Sequence, residues 1–134
     1  MLSDSFDYGT LAEFRHQIRK FLHFSEAAAR AAGLNSQQHQ LLLALKGLPS
    51  GVKPTVGALA EWLQLRHHST VGLVDRLVER GYVARETDPS DRRQVLVRIT
   101  PEGNSILRKL TRTHREELLS AGPRLLITLQ KLLL

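Results

Sequence analysis

Apolar positions along the first part of the chain follow a helical spacing. They recur every three or four residues from 11 to 32, which predicts an amphipathic helix that ends at Gly33. Asn35, with Gln38 three residues later, has the pattern of a capping box and predicts a second helix that stops around Gly47. Two helices separated by a short connection therefore occupy most of the first 47 residues.

The next stretch predicts two further helices joined by a tight connection. Proline and glycine residues between positions 49 and 54 indicate a loop. Thr55 is the expected N-cap of a short third helix, and residues 64–66 lead directly into a fourth helix at about 67–80. Gly81 is a natural end for this fourth helix.

An alternation of apolar and polar residues then replaces the helical spacing. Val95, Val97 and Ile99 lie on one side of the alternating run, which predicts a half-buried strand. Residues 82–86 can supply the partner strand, and residues 87–94 between the two are rich in turn-forming types. The sequence therefore predicts a hairpin that carries two arginines at its tip.

Helical spacing returns after the hairpin. Thr100 followed by Pro101 predicts a helix start, with threonine as N-cap and proline in the first helical position. Gly122 and Pro123 are expected to break this helix. Residues 124–134 would then form a separate, mostly apolar final segment.

Charge adds a possible partner to this outline. The net charge is +6, and it is uneven: residues 1–65 include six basic and five acidic residues, whereas residues 66–134 include thirteen basic and eight acidic residues. A basic half favours a polyanionic partner such as double-stranded DNA over the alternative of a merely solubilising surface. The absence of cysteine excludes disulfides, thiolate metal sites and thiol-based redox sensing.

The element order is typical of a winged helix-turn-helix: helix, helix, short turn, helix and a two-stranded wing. We expect residues 1–134 to form a single, mainly α-helical domain with a small β-wing, in which residues 35–100 are the DNA-binding region. Residues 8–33 and 101–134 flank this region and are too apolar to be covered within one subunit. A homodimer that buries these dimerisation helices is favoured over a monomer whose C-terminal helix folds back on its own core.

Several segments resemble the MarR family of bacterial transcription regulators. The segments that carry the resemblance are residues 59–63, 69–71, 73–77, 80–83, 88–93 and 97–103. The family's wing pattern, D-x-R-x-x-x-V-x-L-T, is matched by Asp91, Arg93, Val97, Ile99 and Thr100, with isoleucine where leucine is usual. The specific match spans about 45 residues, from 59 to 103.

The resemblance implies a function and a mode of action. Proteins of this family are symmetric homodimers that bind pseudo-palindromic operators, usually as repressors. Their fourth helix enters the major groove and their wing reaches the adjacent minor groove. A cleft between the dimerisation and DNA-binding regions often takes a small phenolic or aromatic effector, which releases the DNA.

Candidate DNA contacts lie first at the start of the fourth helix. His67, His68, Ser69 and Thr70 are the residues expected to be exposed there, where free backbone amides and the helix dipole favour phosphate. The other interpretation of the histidine pair is a solvent-exposed pair without a role. Arg66 stands where serine is a common cap in the family, so this helix lacks a good N-cap.

Further candidates lie in and around the wing. Arg92 and Arg93 are the main expected contacts, because an arginine in the minor groove reads its width and negative potential. Asp91 is expected to hold an arginine side chain by a bidentate pair. Arg76 either touches a phosphate or pairs with an acid such as Asp91. Secondary candidates for backbone contact are Lys53, Thr55 and Arg85.

The sequence offers candidates for an effector pocket but none for a metal site. Phe21, Phe24, His39 and Trp62 are candidates for lining a ligand cleft, although each of these residue types is more often plain packing. None of the remaining histidines has the i, i+4 spacing of a helical metal site, so we expect no metal and no cofactor.

Other functional classes are less well supported by the residues. No glycine-rich phosphate loop, nucleophile elbow or metal triad is present, so we expect no catalytic residues and no enzyme. The alternatives to an operator-binding regulator are a winged-helix protein-interaction module and a non-specific architectural DNA-binding protein. The acidic N-terminal segment lacks a signal-peptide profile and no apolar run could span a bilayer, so we expect a cytoplasmic protein without membrane contact.

Overall fold

The computed structural model describes residues 7–134, and the first six residues of the acidic N-terminal segment lie outside the described residues. Five helices and two strands follow one another along this part of the chain. Their bounds are α1 Tyr8–Ala31, α2 Ser36–Gly47, α3 Val56–Leu63, α4 His67–Glu79, β1 Val83–Asp88, β2 Asp91–Ile99 and α5 Pro101–Leu133. The predicted mainly α-helical fold with a small β-wing is confirmed.

Local capping explains why most helices begin where the sequence predicts. Asn35 and Gln38 form the complete capping box at the start of α2. The hydroxyl of Thr55 accepts from the amide of Ala58 at 3.1 Å, and that of Thr100 accepts from Gly103 at 3.1 Å. Each cap satisfies an amide that would otherwise lack a partner in the first turn, which typically contributes about 1 kcal/mol.

The predicted break at Gly122 and Pro123 is wrong, because α5 continues through both residues to Leu133. Proline removes the amide that would bond to the carbonyl of Leu119, and Leu119 is 70% exposed, so water can replace that bond. Contacts with α1 hold the helix on both sides of the proline. His114 reaches Ser25 before it, and Thr128 reaches Gln17 after it.

The hairpin is longer and its turn shorter than predicted. The strands pair antiparallel from Val83 opposite Ile99 out to Asp88 opposite Asp91, with an irregularity between Thr87 and Asp88. The predicted turn at 87–94 is therefore mostly strand. The inward alternation holds for Val97, which is buried, and fails for Val95, which is 48% exposed near the wing tip.

The core lies where the winged module meets α1 and α5. It consists of aliphatic side chains from every element, with the fully buried ones drawn mainly from α2, α3 and α4: Leu41, Leu42, Leu59, Leu73, Val74 and Leu77. The amide of Val97 also donates to the carbonyl of Pro54 at 2.9 Å, which fixes the loop before α3 to the wing. In the described part of the chain, no helix is long and apolar enough to cross a membrane.

Candidate nucleic-acid interface

The start of α4 presents backbone donors without a side-chain cap. Gln64 ends α3 in a left-handed conformation at φ +56°, and the amide of Leu65 returns to the carbonyl of Ala60 at 2.9 Å. This compact turn places Arg66 at the N-cap of α4, where its side chain makes no capping bond, as the sequence predicts. The first-turn amides and the positive end of the helix dipole are thus available to an anion.

Three of the four side chains predicted at this helix start are exposed. His67, His68 and Ser69 lie on the surface. Thr70 is fully buried, and its hydroxyl donates to the carbonyl of Arg66 at 3.0 Å, so its predicted exposure is wrong. A threonine can bond to its own helix four residues back, and this bond lets the side chain pack toward the core. The candidate surface on α4 therefore comprises residues 67–69.

Arg76 does not pair with Asp91, one of its two predicted partners. It is exposed and makes no ion pair within residues 7–134, whereas its neighbour Asp75 receives a hydrogen bond from Arg85 at 2.5 Å. Arg85, a secondary candidate, is thereby partly neutralised. Arg76 remains a free cation on α4.

At the wing tip, the carboxylate of Asp91 binds the guanidinium group of Arg93 through both oxygens. Nε of Arg93 lies 3.1 Å from Oδ1 of Asp91, and its terminal nitrogen lies 3.5 Å from Oδ2. The hydrogen bonds from Arg93 hold the pKa of the Asp91 carboxyl below its usual range. The predicted bidentate pair is confirmed, yet 90% of the Arg93 side chain is exposed and Arg92 is exposed beside it. The pair orients one cation without burying it.

A second ion pair, which the sequence did not predict, ties the wing to the loop before α3. Nζ of Lys53 lies 2.6 Å from Oδ2 of Asp88 and 2.9 Å from the hydroxyl of Ser90. Asp88 is buried and also accepts from the amide of Ser90, so these bonds lower its pKa to about 2. The main role of Lys53 is therefore to hold the wing against the loop before α3. Its side chain is half exposed, so it is only partly available to a phosphate.

Thr55 lies next to this clamp and is partly buried. Its oxygen caps α3, so only its hydroxyl proton remains to be donated. Lys53 lies in the loop before α3 and Asp88 is the last residue of β1, 35 positions later, so no local sequence pattern connects the two charges.

Three of the four candidate pocket residues meet around a histidine. The rings of Phe21, Phe24 and His39 lie 6.0, 5.5 and 4.9 Å from the ring of His114, centroid to centroid. Trp62 is not part of these ring contacts. It is 53% exposed on α3, where it lines surface clefts with α2 and with the loop that follows α2. The sequence analysis grouped Trp62 with the other three by residue type, because the sequence does not show which side chains lie close together in the fold.

Hydrogen bonds within α5 and to α1 fix the ring of His114 in this cluster. Nδ1 of His114 donates to the carbonyl of Leu110 at 2.7 Å, and its Nε2 lies 2.8 Å from the hydroxyl of Ser25. His39 is 2% exposed, and its buried Nδ1 has no hydrogen-bond partner among residues 7–134. Burial, and next the nearby His114, lower its pKa. The sequence signal for His114 is a histidine at helical spacing from the buried residues Leu107 and Leu110 of α5.

The described residues contain no group of three metal-binding side chains of the histidine, cysteine or acidic type. The site is thus a basic, hydrogen-bonding surface. It combines an uncapped helix start on α4, an arginine-tipped wing and a lysine clamp.

Comparisons with known proteins agree with this geometry. A family model described as "MarR family" matches residues 32–94, which span α2 to the first part of β2. The chain is 39% identical over 84 residues to the uncharacterized HTH-type transcriptional regulator YcgE of Bacillus subtilis, covering 63% of this chain and 53% of that protein. Residues 32–94 of the chain belong to the MarR family.

Two further relatives of the chain are informative. The transcriptional activatory protein BadR of Rhodopseudomonas palustris is 34% identical over 92 residues, covering 68% of this chain and 53% of BadR. The structure of CouR from Rhodococcus jostii RHA1, bound to p-coumaroyl-CoA, superimposes with a TM-score of 0.70 at 27% identity, covering 87% of this chain and 80% of CouR. The chain spans about half the length of the curated relatives it matches.

The names of these relatives describe regulators of transcription and not enzymes. The family, the winged fold and the non-enzymatic class predicted from the sequence thus agree with the comparisons.

Proposed function

We propose that this MarR-family chain is a sequence-specific DNA-binding transcription regulator that acts as a homodimeric repressor on pseudo-palindromic operators. The observation that carries the proposal is the exposed, uncapped start of α4 beside a wing tipped by Arg92 and Arg93. Residues 67–80 enter the major groove, where His67, His68 and Ser69 meet base edges and phosphates. The wing at 87–94 enters the adjacent minor groove.

Arg76 and the clamp residues complete the proposed interface. Arg76 is a free cation on the recognition helix and contacts a phosphate. Lys53 fixes the wing through its ion pair with Asp88, and Thr55 caps α3. The exposed parts of both side chains also contact the DNA backbone. Thr70 is excluded because it is buried.

The exposed faces of α1 and α5 support the homodimer. Large apolar side chains there include Leu119 at 70%, Leu126 at 57% and Ile127 at 53% exposure, beside Leu11 at 49% on α1. Exposed apolar surface of this extent marks a protein interface, and a second copy with a two-fold axis covers the same helices on both subunits. Two-fold symmetry in the protein matches two-fold symmetry in the operator.

An aromatic or phenolic effector is proposed at the cluster of Phe21, Phe24 and His39. The solved structure of CouR is a complex with p-coumaroyl-CoA, and the cluster offers aromatic rings and an unpartnered histidine nitrogen. Because the cluster joins α1, α2 and α5, an occupant would shift the winged module relative to the dimerisation helices.

The test is binding to the DNA upstream of the chain's own gene and its neighbours, compared with random duplex at two salt concentrations. We expect a dimer footprint and an affinity about a thousandfold or more above random duplex. Equal, weak binding to both DNAs would support the architectural alternative. No binding at low salt would support the protein-interaction module. A reporter gene behind the operator then distinguishes repression from the activation that the name of BadR describes.

The wing is tested by Arg93→Ala. We expect weaker operator binding. We also expect the slope of the logarithm of the binding constant against the logarithm of salt concentration to fall by about one unit, because DNA keeps about one counterion for each phosphate contact that is lost. Arg30→Ala, which removes an exposed cation at the end of α1, is the matched control and should leave the slope unchanged. An unchanged slope for Arg93→Ala removes the wing from the proposed mechanism.

A further inference from the structure

The helices α1 and α4 end in the same local structure. Gly33 follows α1 in the left-handed region at φ +82°, and Gly81 follows α4 at φ +76°. The residue after each glycine donates its amide to the carbonyl five positions back, Leu34 to Ala29 at 2.9 Å and Tyr82 to Leu77 at 3.0 Å. Both ends are therefore Schellman motifs, in which glycine turns the chain sharply out of the helix.

One side chain joins these two helix ends. Arg80 is the C-cap of α4, and Nη1 of its guanidinium group donates to the carbonyl of Gly33. The group lies directly against Gly33, since a Cβ atom there would be 3.3 Å from Nη2 of Arg80. The two residues are 47 positions apart, so no local sequence pattern connects them. The bond ties the flanking helix α1 to the end of α4.

A cation is well suited to this position. The last carbonyls of a helix carry the negative end of its dipole, and two such ends meet at the guanidinium group of Arg80. Its Cζ also lies 5.1 Å from the centre of the Tyr82 ring, close enough for a cation–π contact. Within residues 7–134 Arg80 makes no ion pair, so no carboxylate competes for these contacts.

The same junction also holds the base of the wing and the start of α5. Tyr82 directly precedes β1, and its carbonyl accepts from the amide of Thr100 at 3.0 Å. Thr100 directly follows β2, and its hydroxyl donates to the carbonyl of Gly81 at 2.6 Å. A movement of Arg80 relative to α1 would therefore carry α4 and the wing together.

The orientation of α4 at this end decides where its other end lies. The helix has 13 residues, and at about 1.5 Å per residue its start lies about 20 Å from Arg80. A tilt of roughly 10° at Arg80 would displace the start of α4 by about 3 Å, far more than a hydrogen bond tolerates. The contacts proposed for residues 67–69 therefore require that the far end of the helix is fixed.

We propose that Arg80 is a positioning residue for DNA binding, which holds α4 and the wing in one orientation relative to α1. The inference rests on the proposed function, in which α4 and the wing form the surface that binds DNA. Arg80 lies at the opposite end of α4 from that surface and acts through the helix. Without its bond to Gly33, only part of the molecules have the orientation that fits the operator, and the apparent affinity falls by that fraction.

The first experiment compares Arg80→Met and Arg80→Lys in binding to the operator and to random duplex, by fluorescence anisotropy. Methionine keeps an unbranched stem but cannot donate a hydrogen bond, whereas lysine keeps the charge and a donor. We expect Arg80→Met to bind the operator about fivefold or more weakly, the factor that one hydrogen bond from a charged group provides. Random duplex, which requires no exact orientation, should be bound almost as before. Arg80→Lys should recover most of the operator affinity.

Arg30→Met is the matched control, because it removes an exposed cation from the last turn of α1 that has no bond to α4. It should bind both DNAs as the unchanged chain does, and urea unfolding verifies that each variant is folded under the binding conditions. Unchanged operator affinity in Arg80→Met would overturn the proposal. Equal losses on operator and random duplex would also overturn it, because Arg80 would then contact the DNA backbone itself.

A second measurement needs no DNA. The chain contains no cysteine, so Ala27→Cys on α1 and Ser69→Cys at the start of α4, both exposed positions, accept spin labels at these two places alone. Double electron–electron resonance then gives the distribution of distances between the labels. Labelled chains are diluted into unlabelled ones, so that only pairs within one chain contribute.

We expect a narrow distribution of label distances in the unchanged chain and in Arg80→Lys, and a broader one in Arg80→Met. An equally narrow distribution in Arg80→Met would overturn the proposal, because α4 would then keep its orientation without the bond. A broader distribution in a chain that binds no operator would support the positioning by Arg80 and overturn only the proposed function.

Discussion

Gly103 lies in the first turn of α5, against the backbone of the segment that follows α4. A Cβ atom at this position would be 2.1 Å from the carbonyl oxygen of Tyr82 and 2.9 Å from the side chain of Ile99. Backbone cannot withdraw as a flexible side chain can, so this close approach requires glycine.

We expect Gly103→Ala to destabilise the fold by at least about 1–3 kcal/mol, the usual cost of overpacking. Urea unfolding followed by circular dichroism measures this loss. The control, Gly122→Ala, lies in the same helix with nothing within 4 Å of its Cβ, and should stabilise by up to about 1 kcal/mol. A neutral result for Gly103→Ala would contradict the close contact between α5 and Tyr82.

His39 makes stability depend on pH. Burial, and next the neighbouring His114 of α5, lower its pKa from 6.5, so the folded chain holds it neutral. The unfolded chain binds the proton more readily, and stability is therefore complete above about pH 6.5 and falls as the pH drops through that value. The loss is at most about 1.4 kcal/mol per pH unit for one proton.

The measurement is the free energy of unfolding at pH 7.5 and 5.5 for the unchanged chain and for His39→Leu. We expect the variant to lose less stability on acidification, because the remaining ionisable groups are the same in both proteins and their contributions cancel in the difference. Identical pH profiles would show that His39 is protonated as easily in the folded chain as in the unfolded one.

For single residues, the sequence predicted which side chains interact better than it predicted where each side chain lies in the fold. It predicted that Asp91 holds an arginine by a bidentate pair, and the structure identifies that arginine as Arg93, two residues away. It placed Thr70 on the surface and Trp62 in a pocket because residue type does not say which way a helical side chain faces. The clamp of Lys53 depends on tertiary contacts that no local pattern contains.

At the scale of elements, short-range signals were sufficient for the helix starts. The caps at Asn35, Thr55 and Thr100 are contacts between residues three positions apart, and all three are confirmed. The continuation of α5 past Pro123 could not be read locally, because contacts with α1 on both sides of the proline stabilise it.

The wing gives a prediction in which two effects oppose each other. Asp88→Asn removes a negative charge, so charge alone would strengthen DNA binding. It also removes the ion pair with Lys53 that fixes the wing to the loop before α3. We expect the loss of positioning to prevail and operator affinity to fall several-fold, measured by fluorescence anisotropy.

The low pKa of Asp88, about 2, means that the clamp persists at every pH at which the protein is assayed. Glu86→Gln, which removes the same charge from the ion pair with Arg98 in the middle of the wing, is the matched control. Tighter DNA binding by Asp88→Asn would show that the clamp does not position the wing.

At the scale of the whole molecule, the exposed apolar face of α5 determines the subunit arrangement we propose. Leu126→Glu combined with Ile127→Glu should give a monomer by light scattering and weaken operator binding. Both side chains are more than half exposed, so the fold itself should tolerate the change. Val52→Glu, at an exposed apolar residue in the loop before α3, should leave the oligomeric state unchanged. A double variant that remains dimeric would place the interface elsewhere.

The overall architecture was predictable because element order and wing pattern are both encoded in consecutive residues. The packing of α1 against α5 was not, since it joins the two ends of the described chain. The only indication in the sequence was the excess of apolar residues in both helices, which predicts that their apolar faces are buried against another element.

The same pairing sets an order for folding during synthesis. Gln17 of α1 can form its hydrogen bond only after Thr128, 111 positions later, has been synthesised. Ser25 likewise needs His114, 89 positions later. At about 5–20 residues per second, the ribosome needs roughly 5 to 20 s to supply these partners. The winged module in between can fold first. Until α5 emerges, the apolar side of α1 is a surface on which a chaperone can act.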